Sequence, residues 1–173
     1  VKLNVGCGDY YADGWTNLDP QPGDTVRPDV VGSLTELPPQ ISGVTAVYCG
    51  HVLEHLPFYS LASALRGLWA RCVPGATVAL VGPDVDRANL LHERGEITAE
   101  TLHGAIHGAG RWHGDEHLWA CTEQLLLDVA RVSGLDARPV PIGSPELDAF
   151  PVVSRAPWQC AILGAAPGNP VSS

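Results

Sequence analysis

Four small groups of residues in the first half of the chain have the types and spacing to act on a ligand. Gly6-Cys7-Gly8 follows the alternating run Lys2-Leu3-Asn4-Val5. A strand therefore meets a glycine turn at once, and such a backbone can approach a ligand that a Cβ would exclude. Asp19 closes a second strand-like run, Trp15 to Asp19, ahead of Pro20 and Pro22. A carboxylate at a strand tip can accept both hydroxyls of a ribose. Gly50-His51 ends a further strand, Val44 to Cys49, with an imidazole suited to taking a proton near neutral pH. Pro83-Asp84 closes the apolar run Thr77 to Val81 in the same way. Glycine turn and strand-end carboxylate together imply a nucleoside. They do not spell a dinucleotide site: Tyr11 occupies the place of the third glycine in GxGxxG, and Asp19 follows Gly8 by 11 residues, against about 20 in that fingerprint.

The elements that must position these groups alternate between strand and helix. A third strand is expected near Asp29 to Leu34, and a helix from about Phe58 to Val73, its apolar residues at i, i+3, i+4 spacing and its end at Pro74-Gly75. Further helices are expected near Arg87 to Glu93, Ala99 to His107 and Thr122 to Val132, and last strands near Ala137 to Ile142 and Trp158 to Leu163. This pattern specifies an α/β sheet covered on both faces, with ligands at the carboxyl ends of its strands. All four groups fall on that edge. Only Asp9 to Gly14 separate the glycine turn from the second strand, too few for a full crossover helix. The first helix is expected to be missing or cut to one turn, with Tyr10 or Tyr11 covering the ligand.

Leu3-Asn4-Val5-Gly6-Cys7-Gly8, Gly14-Trp15-Thr16-Asn17-Leu18-Asp19, His51-Val52-Leu53-Glu54-His55-Leu56 and Val81-Gly82-Pro83-Asp84 resemble the class I S-adenosylmethionine-dependent methyltransferases. The likeness is to a small bacterial group with GCG, GWxNlD and HvLEHl signatures. It implies a Rossmann-like fold, with a seven-stranded, mostly parallel sheet and an antiparallel last strand. It also implies S-adenosyl-L-methionine as cofactor, with Val5, Gly6, Cys7 and Gly8 along the methionine part and Asp19 on the ribose. Ser33 and Leu34 would flank the adenine, and Gly50 and His51 would face the sulfonium. Asn4 stands where many members carry an acid, and Ser33 where many carry Asp.

The chain of 173 residues carries a net charge of −9, with no track of Arg and Lys. That disfavours nucleic acid and suits a small-molecule or sugar-type acceptor. Residues 1–167 are expected to form one domain, with an acceptor-side lid inserted at about 87–118 and a frayed tail at 168–173. No apolar run is long enough to cross a membrane and no leader precedes the first strand, so a cytoplasmic protein is expected. Five cysteines without a CxxC pair are expected to be free thiols. His51, His113 and His117 are the candidate bases. His51-Val52-Leu53-Glu54-His55 also matches the inverted zinc-peptidase motif, but that chemistry needs a continuous helix, which the preceding strand and Pro57 oppose. His103, His107, His113, Asp115 and His117 offer a second metal reading, as a metal-binding protein or metallohydrolase. A polar lid without metal is preferred here. A non-catalytic binding module has little use for such a lid. Glu54 is expected to be a solvated or capping charge, and Trp69, Trp119 and Trp158 to be core.

Overall fold

Among the described residues seven segments form strands: β1 (Lys2–Val5), β2 (Thr16–Asp19), β3 (Val30–Val31), β4 (Val44–Gly50), β5 (Cys72–Pro83), β6 (Asp136–Val140) and β7 (Gln159–Ala165). The computed structural model describes residues 1–21, 27–111, 114–152 and 154–167. The strands form one sheet in the order β3-β2-β1-β4-β5-β7-β6. β3 through β5 are parallel, and β7 runs antiparallel to both of its neighbours. The expected architecture is therefore present. The expected tail at 168–173 and His113 lie outside the described residues.

Four helices follow β4 and β5: α1 (Leu61–Trp69), α2 (Val85–Glu93), α3 (Ala99–His107) and α4 (Glu123–Val132). Asp84, Thr98 and Thr122 cap the last three, each side chain accepting a backbone N–H of the first turn. Leu61, Leu65 and Leu68 of α1 and Leu126 and Ala130 of α4 bury against Leu3, Leu18, Val47 and Leu80, which makes one face the main core. The other face carries a smaller cluster. Tyr48, Ala79, Val81 and Ala161 pack there under a loop carrying a 3₁₀ turn (Pro145–Ala149), with Leu147, Phe150 and Trp15 completing it.

The first long helix also ends earlier than expected. It stops at Trp69, and β5 begins at Cys72, taking Pro74-Gly75 into the strand. The reason is pairing: Cys72 lies beside Val44, and a register irregularity before the Ala46 and Thr77 pair absorbs the proline that could not donate to a regular ladder. β3 is shorter than expected, two residues rather than six.

No helix forms between β1 and β2, as the spacing requires. Two turns replace it, closed by Tyr10 N–H to the Cys7 carbonyl (2.8 Å) and Trp15 N–H to the Ala12 carbonyl (3.2 Å). A buried amide network supplies the other partners. Asn17 Oδ1 accepts from Asn4 Nδ2 and from Ala12 N–H, both at 2.9 Å, while its Nδ2 donates to the carbonyls of Ala12 and Trp15. Asn4 Nδ2 also donates to the Tyr10 carbonyl. Two side chains thus satisfy backbone groups that a helix would have paired internally.

Candidate functional site

The carboxyl ends of β1 and β2 are tied together. Gly6 N–H donates to the Leu18 carbonyl at 2.7 Å, and Gly8 N–H donates to Asp19 Oδ2 at 2.8 Å. Asp19 Oδ1 accepts from Gln21 N–H at 2.9 Å. The carboxylate is half-buried and fixed, yet each oxygen keeps a second lone pair for a ligand. Gly6 needs to be glycine for two reasons: its φ is +65°, and a Cβ would fall 2.3 Å from Val52 Cγ2. Gly8 also has positive φ, but space above it is open. Val5 and Cys7 are buried, so they offer a ligand only backbone. Burial first, and then the charge of Asp19, push the Cys7 thiol up to about 11.

Beside Asp19, Gly32 N–H donates to its carbonyl at 3.0 Å, and the next residues curl into a turn. Ser33 is half-buried with its hydroxyl against that of Thr35, 2.8 Å away. Leu34 points into the main core. A hollow of about 500 Å³ opens here, lined by Pro20, Val31, Gly32, Ser33, Leu37 and Pro38. Another, of about 460 Å³, lies at the opposite edge near Thr77 and Asp136. Tyr11 does not hang free over the site: its hydroxyl donates to Asp29 Oδ1 at 2.7 Å. Asp29 also accepts the N–H and the side-chain amide of Asn17. The Asn17 N–H, then the Tyr11 hydroxyl, hold its carboxyl below the ordinary range.

At the tip of β4 the chain turns sharply. Gly50 does not provide open space, because a Cβ there would meet the Tyr48 hydroxyl at 2.2 Å. His51 adopts a φ of +56° and its N–H donates to the Val81 carbonyl. Both ring nitrogens are engaged: Nδ1 with Glu54 Oε1 at 2.9 Å, and Nε2 with the Gln159 side-chain amide at 2.7 Å. The pairing fixes the tautomer, since a carboxylate only accepts and an amide NH₂ only donates. Glu54 is 1% exposed, which corrects the solvated role expected for it. Burial pushes its carboxyl up, but the hydrogen bond from His51 and the charges available to His51 and His55 outweigh this and hold it below the ordinary value.

Leu53 to His55 form a single 3₁₀ turn and Leu56 is extended, so His51 and His55 share no helix face and the peptidase geometry is not formed. The segment after α3 folds onto this turn. Leu118 N–H donates to the Glu54 carbonyl at 2.8 Å and Trp119 Nε1 to the Leu53 carbonyl at 3.0 Å. Trp69 is core, as expected, whereas Trp119 and Trp158 are half-buried, Trp158 edge-on to His51. His117 is brought beside His55, with ring centroids 5.0 Å apart. Burial pushes its imidazole below the ordinary value. The other members of the histidine-rich run go elsewhere: His103 and His107 face each other on the exposed side of α3, and Asp115 pairs with Arg111 at 3.2 Å. All five cysteines are free. Sequence reading missed Asn17, Tyr48, Glu54 and Gln159. Asn17 and Glu54 lay inside motifs already singled out, but Gln159 reaches His51 across 108 positions.

No protein-family model and no curated protein matches the sequence. Its shape, however, matches solved methyltransferases. One is a SAM-dependent methyltransferase from Methanosarcina mazei, 12% identical over 96% of this chain and 92% of that one, with a TM-score of 0.59. Another is the Burkholderia thailandensis 1,6-didemethyltoxoflavin N1-methyltransferase, solved with bound 1,6-didemethyltoxoflavin and S-adenosylhomocysteine (12% identity, 95% and 70% covered, TM-score 0.56). A third is the O-methyltransferase of neocarzinostatin biosynthesis, bound to S-adenosylmethionine and a naphthoic acid (17%, 95% and 48%, TM-score 0.55). The chain spans 34% to 49% of the length of several further proteins of this shape. Strand order, reversed β7 and these likenesses define a Rossmann-like methyltransferase fold. Among the described residues, no helix is long and apolar enough to cross a membrane.

Proposed function

We propose that this chain is an S-adenosylmethionine-dependent methyltransferase acting on a small-molecule or sugar-type acceptor. The observation that carries the reading is the Asp19 carboxylate at the tip of β2, gripped by the Gly8 N–H of β1 on the edge where an open α/β sheet takes its ligands. The residues fit such a cofactor: open space above Gly8, free lone pairs on Asp19, and a hollow beside Ser33. The bound cofactor supplies a methyl group on a cationic sulfur that departs as a neutral thioether. Asp19 would accept the ribose hydroxyls, the Gly6 to Gly8 backbone would line the methionine part, and Ser33 with the Leu34 backbone would border the adenine.

His51 is the described histidine best placed as a base. Glu54 holds its Nδ1–H, which leaves the Nε2 lone pair for an acceptor group that displaces the Gln159 amide. Gln159 Oε1 is buried without a partner and could accept from the same ligand. Alignment of acceptor and methyl contributes up to about 7–11 kcal/mol, and a positioned base about 10²–10⁴-fold. A net charge of −9 favours a small acceptor over a polynucleotide.

The test is thermal melting with S-adenosylhomocysteine. At ~100 times its dissociation constant a native-state ligand adds ~2.7 kcal/mol, a clear rise in melting temperature. Asp19→Ala should abolish the rise and His51→Ala should keep it. No shift at millimolar ligand, or an undiminished shift in Asp19→Ala, defeats the proposal.

A further inference from the structure

The 3₁₀ turn after β4 gathers three metal-binding donors, of which only Glu54 has another task, holding His51 Nδ1 through its Oε1. Glu54, His55 and His117 each place one donor atom within 4.8 Å of the others, the only such group among the described residues. Glu54 Oε1 accepts from His51, but Oε2 is buried and has no hydrogen-bond partner. A carboxylate oxygen sealed from water without a partner is costly, so its natural complement is a cation or donor brought from outside.

The two imidazoles are oriented as ligands are. His55 Nδ1 bonds the Glu116 carbonyl at 3.2 Å and His117 Nδ1 bonds the Ala105 carbonyl at 3.1 Å. A carbonyl only accepts, so both Nδ1 atoms carry the proton and both Nε2 atoms keep their lone pairs. That is the support a metal-ligating histidine ordinarily receives from its surroundings. The rings meet at 71° rather than stacking. Burial also favours neutral His117. Metal–nitrogen and metal–oxygen bonds of about 2.0–2.2 Å require the donors to draw closer together than the 4.8 Å that now encloses them.

We infer that Glu54, His55 and His117 form a binding site for a divalent transition-metal ion of the zinc type. Two imidazoles and one carboxylate suit that class rather than calcium or magnesium, which prefer all-oxygen shells. Three protein donors leave a fourth position for water or a ligand oxygen. The Glu54 oxygen that would ligate the ion is the one not bonded to His51 Nδ1, and the metal site does not rest on the function proposed above. The two histidines come from the β4 turn and from the segment after α3, so the ion would also pin that segment to the sheet edge.

The test uses tag-free protein, stripped with chelator and titrated with Zn²⁺ by calorimetry and with Co²⁺ by visible absorption, without cofactor or acceptor. The expected result is one equivalent of Zn²⁺ per chain and a Co²⁺ spectrum with d–d bands of tetrahedral intensity. His117→Ala and His55→Ala should each weaken binding at least ~10-fold, while His103→Ala should leave it unchanged. Circular dichroism checks each fold, and because Glu54 is buried, the two histidine variants decide if Glu54→Gln fails to fold. Absence of stoichiometric Zn²⁺ binding overturns the inference. So does binding that survives both histidine variants, or that is lost with His103 instead. Because cofactor binding is not measured here, failure of this site and failure of the methyltransferase reading are separate results.

Discussion

Replacing Gly6 by alanine probes how the sheet edge is built, and the structure permits its cost to be divided. At a φ of +65° an L-residue is strained, and the new Cβ would lie 2.3 Å from Val52 Cγ2. The left-handed backbone costs about 1–2 kcal/mol, and forcing an extra methyl into a packed site about 1–3 kcal/mol more. Val52 is β-branched, so its methyl cannot easily swing aside. Denaturant unfolding of Gly6→Ala should therefore show a loss of about 2–5 kcal/mol. The second part is removable. With Val52→Ala the nearest remaining side-chain atom is Cβ at 3.5 Å, an ordinary contact. In that background Gly6→Ala should cost only the backbone part, giving a coupling of about 1–3 kcal/mol in the double-mutant cycle. A cost below about 1 kcal/mol, or full additivity of the two changes, would refute the packing account of this turn.

Asn17→Ala strips an acceptor from Asn4 and Ala12 and donors from two carbonyls; chemical denaturation should show a loss of about 2–4 kcal/mol, with the β1–β2 loop exchanging its amide hydrogens faster. Asp29 has a folded-state pKa below its unfolded value, so its ionised form stabilises the fold above the unfolded pKa of about 4 and that contribution disappears as pH falls through the lower folded value. Stability measured from pH ~5 to ~2 should therefore fall less steeply in Asp29→Asn than in the parent chain. If His51 is the base, His51→Ala should lower turnover by about 10²–10⁴-fold while leaving S-adenosylhomocysteine affinity intact; a fall under tenfold would reassign the role.

The edge of the sheet was legible because its signals are local. Gly6, Asp19 and His51 each end a short apolar run, and the gap from Gly8 to Trp15 is too short for a helix; two turns form there instead. The end of α1 was misread because Pro74-Gly75 looks like a helix stop, while the pairing of Cys72 with Val44 that draws the segment into β5 involves residues 28 positions apart. Distant partners also decided the site. The space beside Gly50 is filled by the Tyr48 phenol, a contact that no local signal in the sequence announces. Glu54 looked like a surface charge until the segment around Leu118 closed over its turn. His117 and His113 were equivalent by composition; only the backbone bonds that seat the segment set His117 beside His55.

The central claim, that Asp19 and the Gly6 to Gly8 turn hold a nucleoside cofactor, is tested most directly by a crystal structure of the protein grown with S-adenosylhomocysteine. The account predicts ribose hydroxyls within hydrogen-bond distance of both Asp19 oxygens, with the adenine in the hollow beside Ser33 and the sulfur toward His51. Density for the ligand away from the ends of β1 and β2, or none at saturating concentration, would contradict it.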